Sequence, residues 1–224
     1  MRVLASLTMA VVFASANALA QTTTTAPTSS ATAPAPVPTE AADDRAWSFS
    51  AWAVTYIVPD SGNYLQPTLA ADRGWLHLEA RYNYEALDTG SAWVGYNFSG
   101  GRSLTWEFTP MLGGVFGDID GVAPGYKGSL SWWKLQLYSE GERVLDMRDS
   151  SKSFFYSWSE LTLAPAEWFR FGLASQGTRA DHADREVQGG ALAGFSYKKV
   201  DLTAYLFDPN DEARTFVITV GLRF

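Results

Sequence analysis

Nine charged side chains, Glu79, Arg81, Glu85, Glu107, Lys127, Glu140, Glu142, Glu160 and Arg170, fall in segments of alternating polarity and could act together. Opposite charges side by side keep buried carboxylates ionised. Set on opposite walls of a passage, they impose a transverse field that selects small hydrophilic solutes. Two carboxylates in contact, here Glu140 and Glu160, would push one pKa upward and form an acid–base pair. Nothing in the sequence sets a nucleophile or metal beside them, so no catalytic residue is expected. The chain has no cysteine and two histidines. Thiol catalysis, disulfides and cysteine-type metal sites are thereby excluded. His77 lies in an alternating segment. His182 lies in Ala180-Asp181-His182-Ala183-Asp184, which reads as a solvated acidic loop rather than a divalent-cation site. No cofactor or metal is expected. Gly100-Gly101 and Gly189-Gly190 are not phosphate cradles, because no helix follows either pair.

The elements that must hold these residues have a period of two. Leu76, Leu78, Ala80, Tyr82 and Tyr84 alternate with His77, Glu79, Arg81, Asn83 and Glu85. Charge at every second position cannot face a dry soluble core, but it can face a wet or paired lumen. Leu104, Trp106, Phe108, Pro110 and Leu112 alternate with Thr105, Glu107, Thr109 and Met111. Val200, Leu202, Ala204 and Leu206 alternate with Asp201, Thr203, Tyr205 and Phe207. The last segment is the clearest: Phe216, Ile218, Val220, Leu222 and Phe224 share one face, opposite Thr215, Val217, Thr219, Gly221 and Arg223.

The N-terminus precedes this domain. Arg2, the apolar run Val3 to Ala14 and the small-x-small Ala18-Leu19-Ala20 predict a secretory signal peptide over residues 1–20. Residues 21–45 are Thr, Ala and Pro-rich, with Pro27, Pro34, Pro36 and Pro38, and predict a disordered linker with too little apolar surface to fold. A single domain is expected from 46 to 224. Removing Arg2 with the leader takes the formal net charge from −7 to −8, which argues against a nucleic-acid partner. No stretch is apolar for long enough to make a membrane-spanning helix.

Alternation ending in an aromatic last residue resembles the closing strand of bacterial outer-membrane β-barrels, whose terminal Phe belongs to the signal read by the barrel-assembly machinery. The resemblance implies an all-β, transmembrane, antiparallel up-and-down barrel of the Gram-negative outer membrane, with Phe224 in that role, surrounded by outer-membrane lipid. Turn signals divide the domain into twelve strands near 46–57, 64–71, 75–86, 91–99, 103–116, 125–132, 134–145, 153–163, 168–178, 188–198, 200–207 and 213–224. Ten remain if the segment holding Pro67 does not span. An even count puts both termini in the periplasm. The tight turns at Asp72-Arg73-Gly74, Gly100-Gly101, Trp133-Lys134, Pro165-Ala166 and Lys199-Val200 then belong to that side.

Those turns fix hairpin partners by arithmetic. Expected pairs are Ser131–Gln136, Ser129–Tyr138, Lys127–Glu140, Glu160–Arg170, Lys198–Asp201, Gln66–Arg81 and Thr68–Glu79, with Glu140 near Glu160 across a looser loop. A lumen row Lys127–Glu140–Glu160–Arg170 follows, with Glu142, Glu107, Glu79, Arg81 and Glu85 elsewhere on the inner wall. Phe98, Trp132, Phe169, Tyr197 and Phe224 point outward at strand ends, as a membrane girdle. A small porin-like channel for hydrophilic solutes is the first functional expectation. A closed structural or assembly-related barrel, its lumen filled by Tyr138, Tyr156, Trp158 and paired charges, is the alternative. An outer-membrane phospholipase of the known type would carry a His two residues before a Ser. Here Glu79 follows His77 and Asp184 follows His182 at that spacing. An enzyme is therefore not expected. A monomer is expected, because the loops are too short to interlock.

Overall fold

A computed structural model describes residues 46–58, 62–180, 186–209 and 214–224. The leader, the linker and the Asp181–Asp184 loop lie outside the described residues. Thirteen strands form one antiparallel sheet: β1 Ser48–Ile57, β2 Tyr64–Arg73, β3 Leu76–Tyr82, β4 Thr89–Tyr96, β5 Phe98–Gly101, β6 Leu104–Gly117, β7 Gly121–Trp132, β8 Leu135–Asp146, β9 Phe154–Ala166, β10 Phe169–Ala180, β11 Glu186–Tyr197, β12 Val200–Phe207 and β13 Thr215–Arg223. Each strand pairs with its sequence neighbour, β1 pairs with β13, and both β4 and β5 pair with β6. The sheet is therefore a closed barrel of twelve staves, one of them broken at Asn97 into β4 and β5. β2 spans fully despite Pro67, which faces outward, so the count of ten is excluded.

Closure and the two-residue period make the molecule inside-out. Leu69, Val94, Leu112, Phe116, Leu173, Phe195, Leu202 and Val220 project outward and are exposed. So continuous an apolar exterior requires hydrocarbon around it. Both ends of the domain and the tight turns lie at one end of the barrel. The turns are Gly74-Trp75, Arg102-Ser103, Trp133-Lys134, Glu167-Trp168 and Lys198-Lys199, flanked in register by the strand ends. Gly74, Trp133 and Lys198 have φ of +55°, +54° and +53°. Positive φ at the first central residue gives the mirror-image turns whose twist matches that of the flanking strands.

Phe98, Trp132, Phe169, Tyr197 and Phe224 all sit on the outer wall at this short-turn end. They are joined there by Phe49 stacked on Phe224 (6.1 Å), Trp75 on Tyr96 (5.3 Å) and Trp168 on Phe195 (6.2 Å). Rings with a polar edge favour this membrane–water boundary.

The hairpin around Trp133-Lys134 has the expected partners: Ser131 with Gln136, Ser129 with Tyr138, and Lys127 with Glu140. Elsewhere the register is corrected by even steps. Thr68, not Gln66, faces Arg81, and Ala70, not Thr68, faces Glu79, because the turn is Gly74-Trp75. Ala174, not Arg170, faces Glu160, because β9 runs through Pro165 to Ala166 and bulges beside Phe169. Ser196, not Lys198, faces Asp201, and Lys198 is itself a turn residue. An even slip leaves every side chain on its own face, so the inward set survives.

One segment does change face. The expected strand 75–86 stops at Tyr82. Asn83 takes φ +57°, and its side chain accepts the Asp88 N–H (2.9 Å). The chain then dips into the barrel, and Tyr84, expected outward, is buried inside with Glu85.

Inside, the barrel has two halves. The loop half is an apolar core of Val54, Tyr56, Val115, Val144, Phe154, Tyr156, Trp158, Phe207 and Val217, with Trp93 and Tyr205 among it. The short-turn half is an open cavity of about 970 Å³ lined by Trp52, Asp72, His77, Glu107, Lys127 and Arg223, among others. Trp93 lies flat over its cross-strand partner Gly113 because that residue has no side chain: a Cβ there would stand 2.5 Å from the indole. Gly113→Val should therefore destabilise the barrel by about 1–3 kcal/mol, the usual cost of overpacking. Urea unfolding of the refolded protein measures this; the exposed glycine Gly114, with nothing within 4 Å of its Cβ position, should tolerate the same change.

Candidate functional site

The boundary between the halves is built on Arg81. It is the last inward residue of β3, and its side chain is 2% exposed. Its Nε donates to Glu79, and its Nη1 donates to Glu142 (2.8 Å) and lies 3.9 Å from Glu85. Its guanidinium is also 3.9 Å from the centre of the Tyr84 ring and 4.4 Å from that of Trp93. A planar, delocalised cation suits such stacking better than an ammonium would. Glu85 accepts from Ser91 Oγ (2.5 Å), which in turn accepts from Trp93 Nε1 (2.9 Å). One oxygen each of Glu85 and Glu142 has no hydrogen-bond partner among the described residues. Carboxylates outnumber cations at this point, which ties their burial to Arg81.

Lys127 adds a second cation from β7, donating to Glu79. Its Cα partner is Glu140, but its charge goes across the lumen. Below Glu79 a polar chain lines the cavity. His77 Nε2 is 3.2 Å from Glu79 and its Nδ1 is 2.8 Å from Asp72. Asp72 also accepts from Asn97 Nδ2 (2.8 Å), and Asn97 accepts from Thr109 (2.7 Å). The break in the stave at Asn97 sets that side chain on Asp72. His77 thus sits between two carboxylates, with no hydroxyl hydrogen-bonded to it among the described residues. Glu107 faces the same cavity, exposed, with no ion pair among the described residues.

The expected row Lys127–Glu140–Glu160–Arg170 does not form a line of ion pairs. Glu140 faces Trp158 and Glu160 faces Tyr138, so the two glutamates alternate with aromatics across β8 and β9. Tyr84 and Tyr138 donate to Glu140 (2.9 and 2.7 Å), and Trp158 and Tyr205 donate to Glu160 (2.8 and 2.9 Å). Each is 2% exposed or less. Arg170 is not with Glu160 either. It makes a bidentate pair with Asp201 (2.7 and 2.7 Å), which also accepts from Ser196 (2.7 Å). Gly194, its partner on β11, explains the reach: a Cβ there would be 2.7 Å from the guanidinium carbon, so the side chain lies flat across it. Gly194, across from Arg170 on the neighbouring strand, is the signal in the sequence for this pair, and Asp201 is the site residue missed.

A closed antiparallel barrel of twelve staves, apolar outside and charged within, is the fold of porin-like outer-membrane β-barrels. Among solved structures the chain is similar to one described as KdgM porin, with a TM-score of 0.51 and 10% identity over 78% of this chain and 98% of that one. At that identity the likeness is one of fold. No family model and no curated protein sequence matches the chain.

Removing Arg81 would leave Glu79, Glu85 and Glu142 buried around an apolar stub. Arg81→Met should cost about 3–5 kcal/mol, the range for breaking a buried pair from one side. Arg81→Lys should recover part of that. Loss of the heat-dependent gel shift at lower urea than wild type would register the effect.

Proposed function

We propose that this protein is an outer-membrane barrel that does not conduct in its resting state. Its short-turn end faces the periplasm as a blind polar vestibule, and its loop half is sealed. The single observation supporting this reading is the state of the loop half. Trp158 and Phe207 are 0% exposed there, Tyr56 is 1% exposed, and Trp158 packs edge-on against both Tyr205 and Phe207 at 5.2 Å. A passage for hydrated solutes keeps its charges wet, whereas Glu85, Glu140 and Glu160 are buried among rings. Charge pairing and aromatic filling suit a structural or assembly-related barrel whose working surfaces are the vestibule and the outer wall.

The channel reading rests on a different observation, the roomy cavity with Lys127 and Glu107 on its walls. It requires the aromatic seal to move. Planar-bilayer recording separates the two. Wild-type protein should insert without producing conductance steps, and Tyr156→Ala/Trp158→Ala should produce them. Regular ion-selective steps from wild type, altered by Glu107→Gln, would overturn the closed reading.

A further inference from the structure

Charge is distributed unevenly between the two ends of the barrel. At the loop end cations are answered by carboxylates: Arg148 is 3.7 Å from Asp120 and Lys152 is 3.5 Å from Asp118. The same end carries Asp88, Asp149 and Asp208. At the short-turn end Arg73, Arg102, Lys134, Lys198 and Lys199 are exposed, and none of them is in an ion pair among the described residues. Every short turn except Glu167-Trp168 holds or adjoins one of these cations, and Glu167 is the one carboxylate in the five turns.

Three of the cations lie on exposed aromatic rings at this boundary. The Arg73 guanidinium is 5.8 Å from the centre of the Trp47 ring, Lys134 Nζ is 5.7 Å from that of Trp133, and Lys198 Nζ is 5.3 Å from that of Tyr197. Strand parity points Arg73 and its ring outward, towards lipid. Lys134 also donates to the Pro165 carbonyl (2.8 Å). A ring face or a carbonyl does not cancel a positive charge, and an ammonium has three donors and a guanidinium five. Lys199 differs, because it lines the mouth of the cavity.

We propose that this collar binds the head groups of anionic glycerophospholipids in the leaflet at the short-turn end, with Arg73, Lys134 and Lys198 each meeting a lipid phosphate. Successive short turns are two strands apart, about 10 Å, so the collar meets several lipids side by side rather than one polyanion. The rings bury in the interfacial layer and hold the cations at head-group height, where an anionic surface attracts them. A soluble acidic partner would be met from the rim of the cavity, not from the side of the barrel. The inference takes from the reading above only that this end faces the periplasmic leaflet, and its test in detergent is independent of conductance.

Native mass spectrometry of the detergent-solubilised protein with added phosphatidylglycerol, phosphatidylethanolamine or lipid A tests it. Wild type should retain phosphatidylglycerol roughly tenfold more tightly than phosphatidylethanolamine, as expected for several cations at an anionic surface. That preference should shrink as salt is raised, because exposed charges are screened. Arg73→Gln/Lys134→Gln/Lys198→Gln should bring the two lipids to parity, with the heat-dependent gel shift showing that the barrel is folded. Arg148→Gln/Lys152→Gln, at the loop end, should leave the preference intact. Equal retention of the two phospholipids by wild type, or a preference untouched by salt and by the triple substitution, would overturn the proposal. So would loss of the preference on Lys199→Gln alone, which would put the anion in the cavity, or lipid A held more tightly than phosphatidylglycerol through the same three cations.

Discussion

A guanidinium shut inside a membrane-embedded barrel has to be neutralised by groups that are themselves costly to bury, and Arg81 meets that requirement with three carboxylates and two aromatic faces. The five partners come from four parts of the chain: Glu79 from β3, Trp93 from β4, Glu142 from β8, and Tyr84 and Glu85 from the segment that dips inward. Their meeting fixes how β3 stands against the far wall. It also fixes why the chain turns inward at Asn83 rather than continuing as a strand. Above Arg81 the lumen is closed by rings; below it Glu79 passes the charge to Lys127, His77 and Asp72, which line the cavity. The boundary between dry and wet is thus an electrostatic one, drawn by a single residue. Ion pairs of this kind contribute less to net stability than to specifying one arrangement, since breaking them from one side is far costlier than never having them.

A second device recurs on both faces of the wall. A large side chain lies across a glycine on the neighbouring strand: Trp93 over Gly113, Arg170 over Gly194 and Trp52 over Gly221 inside, and Phe116 over Gly90 and Tyr126 over Gly141 outside. Glycine weakens a strand in isolation. Here it lets a ring or guanidinium lie flat against the sheet, which fills a narrow lumen without pushing the staves apart. The same substitution pattern explains why Arg170 reaches Asp201 on β12 instead of the carboxylate expected on β9.

Face was legible in the sequence, and position along the strand was not. The period-two pattern put Glu79, Arg81, Lys127, Glu140, Glu142, Glu160 and Arg170 on the inner wall, where the structure has them. The partners across hairpins depended on locating turns, and the turns here are occupied by Trp75, Trp133, Trp168 and Lys198. Aromatics and lysine sit in them because the turns lie in the membrane boundary, where ring edges and ammonium groups are favoured. Turn signals therefore misplace four of the five, all but Trp133-Lys134, by one or two residues (the turn expected at Gly100-Gly101 is Arg102-Ser103), and register moves in even steps. Tyr84 was misassigned because nothing in an alternating run announces where it stops; the left-handed Asn83 is the residue that ends it. The cross-lumen contacts of Arg81 and Lys127 depend on closure of the whole barrel, and no local pattern encodes them.

The central claim is that one lumen holds a wet vestibule and a dry seal, and β7 passes through both. Ser129 lines the cavity, and Ala123, on the same inward face, is 0% exposed in the core. Because the native chain has no cysteine, Ser129→Cys and Ala123→Cys can each be probed alone with a small charged thiol reagent in the folded barrel. The account predicts rapid modification of the first, and protection of the second until the barrel is unfolded. Modification of both at similar rates would mean a continuous aqueous lumen and would contradict it.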